Sequence, residues 1–234
     1  MRNNLLAMLL ISILPGVAFG GGMEDDPLLT MLTVDQLEIR SNNDNSFFAW
    51  DAEGWIGKDL NKLWIKTDGD YDDGRVEEME LQALYSRAIA PFWDMQVGWR
   101  RDIRPSPDRD WLAIGVKGLA PYYFDVDVAL FIGDNGRTGA RLQLEYEFML
   151  SQRLILTPEI EINLYGKDDP AVGIGSGLSD IEAGLRLRYE IRREFAPYIG
   201  INWNHLYGQT GDFARAEGED TDDYQFVLGI RSWF

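Results

Sequence analysis

The segment D-I-E-A-G-L-R-L-R-Y-E-I (Asp180–Ile191) decides how this chain folds. Asp180, Glu182, Gly184, Arg186, Arg188 and Glu190 hold one parity, and Ile181, Ala183, Leu185, Leu187, Tyr189 and Ile191 hold the other. A strand sends alternate side chains to opposite faces, so this one is apolar on one face and charged on the other. A helix would set its apolar residues three and four apart, which these do not. Gln152–Tyr165 repeats the pattern, with Leu154, Leu156, Ile160, Ile162 and Leu164 against Arg153, Thr157, Glu159, Glu161 and Asn163. Leu142, Leu144, Tyr146 and Phe148 oppose Arg141, Gln143, Glu145 and Glu147, and Phe124, Val126, Val128 and Leu130 oppose Asp125 and Asp127.

Working outward, the alternation predicts twelve strands, near 31–40, 47–57, 60–68, 75–88, 91–102, 110–118, 121–133, 137–150, 152–165, 177–191, 195–207 and 222–234. The connections alternate too. Those around 58–60, 89–90, 118–120, 151 and 192–194 are short, whereas those around 41–46, 67–74, 103–109, 166–176 and 208–221 are longer and rich in Asp, Gly and Pro. Gly133–Asn135 alone breaks the rule. Short turns at one end, longer loops at the other and an even strand count predict an all-β, antiparallel transmembrane β-barrel of the outer-membrane kind, with short periplasmic turns and longer extracellular loops. Strands of this length match a tilted membrane span rather than an average soluble strand. Aromatics at Phe48, Trp50, Trp93, Trp99, Tyr122, Phe124 and Trp203 suit girdles at the two interfaces. The alternative, a secreted barrel that hides its apolar face in a core, needs only eight strands. The last strand sets Tyr224, Phe226, Leu228, Ile230 and the terminal Phe234 on one parity, the form of signal that the barrel assembly machinery reads during biogenesis.

Composition agrees with an exported barrel. The chain has 234 residues, no cysteine, one histidine, 12% aromatic residues and a net charge of −17. A disulfide framework and a cysteine zinc site are impossible, and nothing basic is clustered enough to neutralise the phosphates of a nucleic acid. Arg2, the apolar run Leu5–Val17 and the small residues of Ala18-Phe19-Gly20 predict a signal peptide over 1–20. A short periplasmic segment (21–30) and the barrel (31–234) follow, and no other stretch has about 18 consecutive apolar residues.

With the apolar face in lipid, the charged face lines a lumen. Asp51, Glu53, Glu78, Glu80, Asp125, Asp127, Glu145, Glu147, Glu159 and Glu161 are expected inside with Lys66, Arg100, Lys117, Arg141, Arg186 and Arg231. Two readings stand: a cation-attracting passage, or a closed structural barrel filled by interleaved ion pairs. His205 shares parity with the lipid-facing Ile199, Ile201 and Trp203, and no serine is placed convincingly against it. It reads as a rim histidine, and the chain is not expected to be an enzyme. Met23, Met31 and Met149 all fall at the periplasmic end, and Met149 shares parity with Glu145 and Glu147. These five are the candidate metal ligands, thioethers suiting soft Cu(I), against the alternative of unrelated packing methionines.

Longer runs carry a family likeness: D-Q-L-E-I-R (Asp35–Arg40), A-W-D-A-E-G-W-I-G-K-D-L-N-K-L-W-I-K-T (Ala49–Thr67), L-Y-S-R-A-I-A-P-F-W-D (Leu84–Asp94), D-W-L-A-I-G-V-K-G-L-A-P-Y (Asp110–Tyr122) and Q-R-L-I-L-T-P-E-I-E-I-N-L-Y-G-K-D-D-P (Gln152–Pro170). Through these, and through Gly173–Gly200 and Ala214–Asp220, nearly all of the mature chain resembles the copper resistance protein B family of Gram-negative outer-membrane proteins. The resemblance implies a role in copper resistance and homeostasis. It also implies copper binding, and efflux or sequestration beside periplasmic copper-binding proteins. Family members often carry a Met- and His-rich segment before the barrel; here Gly21–Leu29 offers Met23 and no histidine.

Overall fold

A computed structural model describes residues 26–42 and 45–234. The expected signal (1–20) and Met23 lie outside the described residues. The strands are β1 (Leu29–Ser41), β2 (Ser46–Gly57), β3 (Asn61–Asp72), β4 (Arg75–Ala90), β5 (Trp93–Arg104), β6 (Arg109–Ala120), β7 (Phe124–Gly133), β8 (Thr138–Glu145), β9 (Phe148–Met149), β10 (Leu154–Tyr165), β11 (Gly177–Tyr189), β12 (Phe195–Leu206) and β13 (Asp222–Trp233). β8 and β9 are one span interrupted at Tyr146–Glu147, since both pair with β10. The described residues therefore make twelve spans, each antiparallel to its neighbours.

The sheet closes on itself. β13 returns to β1 with Leu228 opposite Ile39 and Trp233 opposite Thr33. At the rim the Leu32 amide donates to the Phe234 carbonyl (3.0 Å), and the Phe234 amide donates to the Leu32 carbonyl (2.8 Å). Closure matters because hydrocarbon offers no partner to an unpaired strand edge. Among the described residues no helix is long and apolar enough to cross a membrane.

Burial is inverted relative to a soluble barrel. Phe226 is 76% exposed and Leu228 60%, whereas Glu38 is 1% exposed and Arg100 4%. Ile65, Leu130, Ile199 and Ile201 likewise face outward. Phe92, Tyr122, Tyr123 and Phe234 ring the end with the short turns, and Tyr71, Trp99 and Tyr224 are exposed toward the other. An oily outside with aromatic rims belongs in a bilayer.

Two local departures from strict alternation matter. A bulge between Val34 and Gln36 puts both Asp35 and Gln36 on the lumen side, and it also turns Met31 and Thr33 inward. Without it, Met31 would share the outward parity of Leu37 and Ile39.

The longer loops are fewer than expected. The predicted loop over 67–74 is strand up to Asp72, closed by the two-residue turn Asp73–Gly74, both with positive φ (41° and 86°). That is a type I′ hairpin, whose twist matches the strands it joins. The connection at 105–108 is also brief. Length is concentrated in 166–176 and 207–221, and the latter carries an unexpected helix, α1 (Gly208–Glu217). These two connections lean on each other. The Thr210 hydroxyl lies 3.0 Å from the Ser179 hydroxyl and accepts from the Gly175 amide (2.9 Å). A Cβ at Gly175 would stand 2.4 Å from the Thr210 backbone nitrogen, so only glycine permits this approach.

Candidate functional site

The charged parity of the strands meets itself across the lumen, where a charge withdrawn from water must find a partner. On the side of β4–β10, Glu80 accepts from Arg100 (2.8 Å) and Arg141 (3.0 Å), and Arg141 also reaches Glu161 (3.2 Å). Arg100 continues to Asp102 (2.7 Å), which accepts from the Trp111 indole at 2.7 Å. The Phe131 ring lies under both guanidiniums, at 4.3 and 5.8 Å.

A second cluster centres on Glu38. It accepts from Arg40 (2.7 Å), from Arg186 (2.9 and 3.0 Å) and from the Tyr198 hydroxyl (2.7 Å). Arg186 also binds Glu159 (2.8 Å), and Arg40 binds Glu182 (2.9 Å). Tyr198 reaches Glu38 by lying over Gly229, where an added Cβ would come within 2.6 Å of its ring.

Two cross-lumen struts, Lys66–Asp127 (2.7 Å) and Lys117–Glu53 (2.7 Å), stand nearer the short-turn end. The ion-paired interior is therefore present, with Arg40, Arg100, Arg141 and Arg186 within it. Sequence reasoning named most of these residues but missed Glu38, Arg40, Asp68, Asp70 and Asp102. Glu38 and Arg40 carry the same alternation as Gln36, so the signal was there. Asp68 and Asp70 were hidden by the loop expected over 67–74.

At the extracellular rim Asp169 accepts from Arg109 (2.7 and 2.9 Å) and Arg137 (2.8 Å), tying the 166–176 connection to the barrel. No sequence pattern announces this pairing, because its members lie far apart on turns. The hydrogen bonds from Arg109, reinforced by Arg137, hold the Asp169 carboxyl at about 2 rather than the ordinary 3.8. Because the folded value is the lower one, this tie is fully present above 3.8 and is lost as pH falls through about 2. Amide hydrogen exchange in 166–176, compared with an Asp169→Asn variant at each pH, checks it. The parent is expected to be slower at about pH 5, with the difference shrinking below 3.8 and vanishing only below about pH 2. A difference that persists to the lowest pH refutes the tie.

His205 bonds to Asp222 (2.5 Å) and stands between the rings of Trp203 (5.9 Å) and Tyr207 (4.3 Å). Among the described residues no serine hydroxyl bonds to it.

The periplasmic mouth holds a cavity of about 930 Å³ lined by Met31, Met149, Glu147, Arg188 and Arg231 among others. Met31 is on β1 and Met149 on β9, five spans apart around the ring, and both line this cavity. Glu147 is engaged by Arg188 (2.7 Å) and Arg231 (2.9 Å). Glu145 lies deeper, lining a second cavity of about 160 Å³ at mid-lumen. Among the described residues no three His, Asp or Glu side chains already converge as a metal site.

The family described as Copper resistance protein B precursor (CopB) matches residues 28–234. The chain belongs to the copper resistance protein B family. It is 44% identical over 215 residues to Copper resistance protein B of Escherichia coli, covering 92% of this chain and 73% of that one. It is 45% identical over the same length to the Copper resistance protein B homolog of Pseudomonas syringae pv. tomato, with the same coverage. Among solved structures, the NanC porin aligns with TM-score 0.54 at 10% identity, over 86% of this chain and 98% of its own. The KdgM porin aligns with TM-score 0.50 at 11% identity, over 87% and 99%. Those two likenesses establish the barrel fold alone. As a copper resistance protein B family member, this chain is an outer-membrane barrel with a role in copper resistance.

Proposed function

We propose that this barrel takes copper at its periplasmic mouth and aids its efflux or sequestration from the periplasm. The supporting observation is that the bulge in β1 turns Met31 into the same cavity as Met149 and Glu147. Thioethers prefer Cu(I), and few soft donors at a wide mouth would hold an ion loosely enough to release it. Glu147, already bound by two arginines, orients those arginines rather than giving up both oxygens to the metal. Glu145 would meet the ion only after it moves inward. Met23 precedes β1 and would add a third thioether. Delivery by a periplasmic copper-binding protein fits a mouth that opens toward that compartment.

The barrel refolded in liposomes tests this by competition for Cu(I) against a chelator, with flux measured alongside. Met31→Leu with Met149→Leu is expected to weaken Cu(I) binding at least about tenfold and to leave the barrel folded. Unchanged affinity overturns the site. A second reading is a structural or non-specific barrel with a plugged lumen, favoured by the pairs around Glu80 and Glu38. Binding with no flux supports that reading over passage.

A further inference from the structure

The mid-lumen cavity is out of charge balance. Eight carboxylates line its space of about 160 Å³, against four lysine or arginine side chains. Five of the carboxylates are taken up by arginine or lysine partners. Asp51, Asp68 and Asp125 make no ion pair or side-chain hydrogen bond. Asp51 and Asp68 stand directly opposite each other on β2 and β3, and Asp68 also stands opposite Glu80 on β4. Like charges so placed repel. A cation entering the cavity would relieve that repulsion.

The second observation is Gln96. It is 3% exposed, its side chain lines the same cavity, and its amide nitrogen has no hydrogen-bond partner. A buried donor without a partner is costly, and a water in an ion's hydration shell would satisfy it. At roughly 30 Å³ per water, the space takes about five waters or a partly hydrated ion. Its lining offers oxygen donors but neither thioether nor imidazole, which suits hard cations rather than Cu(I). Because no three acidic side chains converge at bonding distance among the described residues, the ion keeps part of its water.

We propose that the cavity between Asp51, Asp68 and Asp125 binds a hydrated hard divalent cation of the calcium or magnesium kind. Asp51, Asp68 and Asp125 are none of the copper candidates, although Glu145 lines the same cavity. Terbium(III) is the probe, a hard ion excited through nearby tryptophan. The Trp64 ring lies 5.1 Å from the Lys117 ammonium and 5.9 Å from that of Lys66, and both ammonium groups line the cavity.

The detergent-folded barrel is expected to show saturable terbium luminescence that calcium displaces. Asp51→Asn with Asp68→Asn is expected to weaken terbium binding at least tenfold, with heat-modifiable migration on gels reporting an intact barrel. In chelator that variant is expected to melt no lower than the parent, while losing the stabilisation calcium gives the parent. Equal terbium binding by parent and variant, or failure of calcium to displace it, overturns the proposal. Should the double variant not fold, Asp125→Asn alone decides: weaker terbium binding supports the site, and unchanged binding rejects it.

Discussion

Glu38→Ala is expected to cost about 3–5 kcal/mol of folding stability. Glu38 is among the most deeply buried side chains, and three donors converge on it, from Arg40, Arg186 and Tyr198. Removing the carboxylate leaves Arg40 with Glu182 and Arg186 with Glu159, but takes the acceptor from the Tyr198 hydroxyl and from the guanidinium N–H groups aimed at Glu38. The loss is therefore that of buried donors left without an acceptor, larger than the net worth of the bonds themselves. Urea unfolding of the barrel in lipid vesicles measures it. Asp212→Ala is the comparison, because its partner Arg215 and Asp212 itself are both exposed, and exposed pairs contribute under about 1 kcal/mol. A Glu38 variant no weaker than the Asp212 variant would show that the cluster is not what holds β1 to β11 and β12.

Leu228→Arg is expected to destabilise by about 2–4 kcal/mol in a bilayer. Leu228 is mid-strand in β13, outward, opposite Ile39 on one side and Ile199 on the other. An arginine there points into hydrocarbon. On a soluble barrel the same exposed position would tolerate arginine within about 0.5 kcal/mol, so this one substitution separates the two environments. Insertion into vesicles, followed by the same urea titration, gives the answer.

Most of the fold was legible because a membrane barrel writes its geometry at period two. Asp180–Ile191 alternates without a break, and β11 covers almost the same residues. What failed to show was local. The inserted residue of the β1 bulge shifts parity by one, and nothing in V-D-Q marks it in advance. Asp73–Gly74 was visible as a turn pair, yet the surrounding aspartates read as loop because charge in a lumen and charge in solvent look alike in one dimension. Helix α1 depends on contacts with β11 rather than on its own periodicity. At the candidate site, sequence order placed Met31 and Met149 at one end. The structure adds that both line one cavity at the mouth and that Glu145 lines a different one.

The backbone seam between Leu32 and Phe234 sets a condition on how this molecule comes into being. The partners that finish the cylinder are the two most distant in chain order, so the slowest encounter is also the last. Until it happens, two strand margins stand open, and hydrocarbon would penalise each of their bare amides and carbonyls. Hydrocarbon thus penalises the unclosed sheet, and the pairing of β13 with β1 is what removes that penalty.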